Sequence, residues 1–60
     1  MYSNLDAERI RHGYTEEYVA EKLGLTRQEY LLRSKSGSFL ESDALVLTGM
    51  YRKSFEYLFF

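Results

Sequence analysis

At 60 residues, with eight Lys and Arg against nine Asp and Glu and no cysteine, the chain has room for one small domain. It excludes disulfide scaffolds, thiolate zinc sites and cysteine nucleophiles. The net charge of −1 rules out a strongly basic, non-specific nucleic-acid binder, and no apolar run reaches the ~18 residues that cross a bilayer.

Glycines and capping residues mark the elements, because the chain has no proline. Ser3 or Asn4 is the expected cap of a first helix running to about His12, where Gly13 can take the left-handed conformation that ends it. Its apolar residues Leu5 and Ile10 share a face poorly, so Ala7 and the stem of Arg9 are expected to complete the buried side. Thr15 caps a second helix, with Glu16 and Glu17 at its positive end and Gly24 as its stop. Tyr14 and Val19 flank the cap as a hydrophobic staple, and Val19, Ala20 and Leu23 form one apolar stripe.

Thr26 caps the third helix, and Glu29 three residues later completes a capping box. The stretch from Ser34 to Ser38 is expected to be a flexible loop. A fourth helix spans about Glu41 to Tyr51, with Ala44, Leu45, Leu47 or Thr48, and Met50 or Tyr51 as core candidates. Ser54 caps a last short turn that carries Phe55, Leu58 and Phe59 inward. Period-2 alternation is absent, so the expected class is all-α, five short helices in one domain over residues 1–60.

Charge is unevenly spread. Residues 25–37 carry Arg27, Arg33 and Lys35 against Glu29, a net +2, while the flanking segments are acidic. A short Gly-containing turn between the second and third helices is the helix-turn-helix arrangement, here over about residues 15–34.

The run Asn4-Leu5-x-Ala7-Glu8, then Gly13-Tyr14-Thr15, then Val19-Ala20-Glu21-Lys22-Leu23-Gly24-Leu25-Thr26-Arg27 resembles the Cro/repressor-type helix-turn-helix family, often called the Xre family. Phe39-Leu40-Glu41-Ser42-Asp43-Ala44-Leu45 resembles the start of the fourth helix in small phage-type members, and Ser54-Phe55-Glu56-Tyr57-Leu58-Phe59 resembles the closing segment. The resemblance implies a lambda-repressor-like bundle that docks on double-stranded DNA as a transcription regulator, a phage or prophage repressor type. Its third helix would lie in the major groove, and dimers would read two half-sites.

On that basis Arg27 and Gln28 are candidates for base edges, since Arg pairs with guanine and Gln with adenine in bidentate fashion. Arg33 and Lys35 are candidates for phosphates, and Leu31 and Thr26 complete the expected DNA-facing set. Residues Thr15, Thr26 and Glu29 also read as structural caps, and Arg27 and Gln28 as ordinary solvated residues of a helix start. The family commonly has Gln where this chain has Glu16, which puts a carboxylate where the resemblance implies a phosphate contact.

An alternative is a helix-turn-helix domain that has lost DNA binding and serves as a protein-interaction module. Glu16, Glu17 and a surplus of apolar residues, with one of Leu31 and Leu32 facing outward, favour it. A homodimer or another protein would then meet the aromatic and leucine surface. No nucleophile–base pair or metal set points to an enzyme, and neither a cofactor nor a metal is expected. The lack of cysteine, of a membrane span and of a cleavable leader leads to an expected cytoplasmic setting.

Overall fold

The computed structural model describes residues 2–60, folded as five α-helices: α1 (Ser3–Arg11), α2 (Glu16–Leu23), α3 (Arg27–Ser36), α4 (Glu41–Tyr51) and α5 (Phe55–Phe59). The chain is therefore all-α, and the described residues contain no strand. Three of the starts follow from side-chain caps. Thr15 Oγ1 accepts from Tyr18 N–H at 3.0 Å, and Ser54 Oγ accepts from Tyr57 N–H at 3.1 Å. At α3 the box is reciprocal: Thr26 Oγ1 accepts from Glu29 N–H at 3.1 Å, while Glu29 Oε1 accepts from Thr26 N–H at 2.9 Å. That backbone donor, and then the Thr26 hydroxyl, hold the Glu29 carboxyl below the usual carboxylate range.

Two starts lack a side-chain cap, and the first of them differs from the sequence expectation. Neither Ser3 nor Asn4 caps α1; both lie inside it, Tyr2 is the cap residue, and no side chain bonds the free amides. The Asn4 amide reaches instead across the fold, donating to Tyr57 O at 2.9 Å. At α4 the cap residue is Leu40, which has no acceptor, and the bond runs only the other way, from Leu40 N–H to Asp43 Oδ2 at 3.0 Å. The expected loop at Ser34–Ser38 is also shorter. Helix α3 continues to Ser36, whose hydroxyl donates to Leu32 O, and Gly37 closes it with φ +69. Helix α4 ends on Arg52 at φ +54, a left-handed position held by a non-glycine residue.

The core is a single cluster of Leu5, Val19, Ala20, Tyr30, Leu47, Tyr51 and Leu58, one or two residues from each helix. Ala44 is buried beside it, and Leu31, Phe39, Tyr57 and Phe59 pack against it half-buried. Several apolar residues expected inside lie outside. Leu45 is 67% exposed and Phe55 is 46% exposed, because α4 turns its Ala44, Leu47 and Tyr51 face inward and α5 is anchored by Leu58. On α1 the discrepancy is larger. Ile10 and Ala7 face solvent, and the fully buried partner of Leu5 is Glu8.

One oxygen of the buried Glu8 carboxylate is bonded across the fold, while the other, Oε1, has no hydrogen-bond partner among the described residues. The Tyr57 hydroxyl donates to Glu8 Oε2 at 2.9 Å, and the Arg11 guanidinium donates to the same oxygen. With the Asn4 bond to Tyr57 O, these contacts tie α5 to α1 at both polar ends of one tyrosine. A buried carboxylate is stable only when bonded in this way.

Two buried hydroxyls, those of Tyr30 and Tyr51, have no hydrogen-bond partner among the described residues. Burial pushes the Tyr30 phenol up to about 12, with the Asp6 carboxylate adding to it. Burial, and then Tyr30 itself, raises Tyr51 as well. In the unfolded chain both phenols ionise near the ordinary value of 10.0. Between that pH and the folded values the unfolded state sheds protons that the native state keeps, so stability falls as pH rises. The melting temperature is expected to drop progressively from about pH 10 to about pH 12. Tyr30→Phe, which removes an unpartnered hydroxyl, should flatten part of that drop in a pH series of thermal melts.

A second expectation concerns the α3 start. Thr26→Ala removes the cap bond and should cost ~0.5–2 kcal/mol, read as a lower denaturation midpoint with an unchanged slope.

Candidate nucleic-acid interface

The turn between α2 and α3 is three residues long, and it decides what the two helix starts present. Gly24 is left-handed at φ +73, and the two amides that follow α2 bond back into it, Gly24 N–H to Glu21 O at 3.0 Å and Leu25 N–H to Ala20 O at 2.9 Å. A β-carbon at Gly24 would meet open space, so the requirement for glycine there is conformational, not steric. Leu25 turns half inward and Thr26 opens α3. The chain thus reverses with its amides satisfied, and the first turn of α3 comes beside the first turn of α2.

Arg27 and Glu16, eleven residues apart, meet at that place. Arg27 Nη2 lies 3.0 Å from Glu16 Oε1, with side chains 54% and 29% exposed respectively. The carboxylate that stands where the resemblance implies a phosphate contact is therefore engaged by the arginine expected at a base edge. Gln28, the next residue, is exposed, and its amide makes no hydrogen bond among the described residues. Lys35 is exposed on the last turn of α3.

The other expected contacts are placed differently. Arg33 Nη1 lies 2.8 Å from Asp43 Oδ2, the oxygen that also accepts from Leu40 N–H. The Arg33 side chain is 28% exposed and Asp43 only 7%, so this pair is largely withdrawn from solvent and joins α3 to the start of α4. Leu31 is half-buried against the core, while Leu32, 68% exposed, is the leucine that faces outward. Thr26 commits its hydroxyl and its amide to the capping box. Arg27, Gln28 and Lys35 thus share the exposed side of α3, whereas Arg33, Leu31 and Thr26 are engaged within the fold.

Electrostatically the +2 segment is muted. Two of its three cations are paired with carboxylates from other helices, Arg27 with α2 and Arg33 with α4. Sequence reasoning missed both pairs, since the partners stand eleven and ten positions away. Helix-turn geometry brings consecutive helix starts together, so Glu16 and Arg27, each first in its helix, carry a signal that such a turn makes legible.

Replacing Arg33 with Ala leaves Asp43 buried with one bond fewer. The expected loss is ~1–3 kcal/mol of stability, measured by urea denaturation, and a phosphate-contacting surface arginine would show almost none.

Scanned against protein-family models, curated proteins and solved structures, the chain gives no match.

Proposed function

We propose that the chain binds double-stranded DNA sequence-specifically, with α3 in the major groove and Arg27 and Gln28 at base edges, and acts as a transcription regulator of the phage or prophage repressor type. The observation that carries this reading is the α2–turn–α3 unit. Its turn is closed by Gly24 and the Thr26 capping box, its rear face is buried through Val19, Ala20 and Tyr30, and its front exposes Arg27 and Gln28 on the first turn of α3. A helix entering the major groove reads bases chiefly with its N-terminal residues. The amides of Glu16 and Glu17 at the positive end of α2 make no hydrogen bond among the described residues, and that end of a helix suits a backbone phosphate. The family resemblance of the sequence motifs adds the same expectation, including dimers on two half-sites about one helical turn apart.

A second reading, a helix-turn-helix domain turned to protein binding, draws on a specific feature. Leu40, Leu45, Phe55 and Phe60 are all more than two-fifths exposed. Leu40, Phe55 and Phe60 line one groove with Ala44, Phe59, Phe39 and Tyr2, and Leu45 lines a second that shares Ala44 and Phe55 with it. Such a groove on a small chain suits another protein or a second copy of this one.

Fluorescence anisotropy with a duplex selected by the chain from a randomised pool, at low and moderate salt, separates the two. DNA binding requires affinity that falls steeply with salt and a selected sequence preferred over random duplex. Arg27→Ala should then weaken the selected duplex by ~1–3 kcal/mol and relax preference at one base position. Absence of any enriched sequence would leave the protein-binding reading as the better one.

A further inference from the structure

We infer that the apolar face of α4 and α5 docks an amphipathic helix of another protein, lying antiparallel to α4. The apolar stripe of that helix fills two grooves, its acidic first turn meets Lys53, and its basic last turn meets Glu41. This rests on the protein-binding reading. It uses none of Arg27, Gln28 and Lys35, so it holds whether or not α3 enters DNA.

The two grooves enclose about 340 Å³ and 400 Å³ and share Glu41, Ala44 and Phe55, so they form one trench. Helix α4 lines it with Glu41, Ala44, Leu45 and Thr48, a stripe at helical spacing, and α5 adds Phe55 and Phe59. Leu40, Leu45, Phe55 and Phe60 leave its margins apolar and exposed, and contiguous exposure of this kind marks an interaction site.

Spacing and charge define the occupant. The α4 residues are Leu40, Glu41 and Ala44 in the first groove and Glu41 to Thr48 in the second, an offset of about one helical turn, ~5.4 Å. A helix presents its i and i+4 side chains ~5–6 Å apart and so fills both, whereas a polyproline segment repeats only every ~9 Å. An extended segment has no strand edge to pair with among the described residues. Glu41, on the first turn of α4, and Lys53, just past its end, are the only charged residues lining the trench. Neither forms an ion pair among the described residues. Helices favour acids at their start and bases at their end, and the antiparallel direction brings those ends to Lys53 and Glu41. A second copy of this chain fits less well, since a two-fold axis sets hollow against hollow.

The test displays randomised peptides of about 16 residues, long enough for a helix, to the full chain. Enriched sequences should carry apolar residues at i, i+4 and i+7, with acids toward the start and bases toward the end. In anisotropy titrations an enriched peptide should bind Leu45→Ser about tenfold more weakly. Leu45 is exposed, so circular dichroism melts should show that variant folded. The double variant Glu41→Lys, Lys53→Glu should also bind about tenfold more weakly, and should prefer a peptide with the same apolar positions and its end charges exchanged.

Enriched peptides that are proline-rich, or that bind both variants as tightly as the wild type, overturn the inference. If no peptide is enriched and the wild type self-associates in sedimentation while Leu45→Ser does not, a second copy covers the face. The helical occupant then fails while the protein-binding reading stands. If no peptide is enriched and both chains stay monomeric, the two fail together.

Discussion

The α2–α3 corner decides what the rest of the molecule can present. Three residues reverse the chain there, and each contributes something different. Gly24 takes the left-handed conformation, Leu25 faces partly inward, and Thr26 exchanges two hydrogen bonds with Glu29. Because every amide of the reversal is bonded within the chain, the corner needs no longer loop, and the two helix starts lie close enough for Glu16 and Arg27 to pair. A looser turn would leave α3 with the same sequence and a different front. Burial of Val19, Ala20 and Tyr30 behind the corner then gives the pair of helices a fixed orientation to the core.

Around that corner the smaller elements serve as braces. Helix α5 has only five residues, too few to persist alone, and it is held by Leu58 in the core and by Tyr57, whose hydroxyl and carbonyl both bond to α1. The buried Glu8 makes that brace directional. A hydrophobic residue at the same place would pack against many neighbours, whereas a carboxylate demands the donors of Tyr57 and Arg11 in one geometry. Asp43 acts similarly at the other side, taking bonds from the Leu40 amide and from Arg33 and thereby coupling the exit of α3 to the entry of α4.

Local chemistry makes most of the fold legible in the sequence. Thr15, Thr26 and Ser54 cap through their own side chains and need no tertiary information, and the Gly24 stop follows from backbone freedom alone. What stays hidden depends on partners distant in sequence. Glu8 looks like a solvated helix residue until Tyr57, forty-nine positions later, supplies a donor. Leu45 and Phe55 look like core until the rotation of α4 and the brevity of α5 are known. Ser3 and Asn4 carry the right groups for a cap, yet α1 has its cap residue one position earlier at Tyr2, and Asn4 is drawn to α5. In the candidate interface, helix phase alone puts Arg27 and Gln28 on the exposed front of α3, but which cations are already neutralised follows only from three-dimensional pairing.

Helix α4 carries a consequence for how this chain tolerates change. It begins on Leu40, which offers no side-chain acceptor, and ends on Arg52 in a backbone region that favours glycine. Neither end has the residue type that would stabilise it best, and a small domain has few kcal/mol to spare. The chain therefore sits below the stability that its own backbone would permit, with ready room for improvement at two surface positions. Matching both ends would widen the margin within which core substitutions are tolerated.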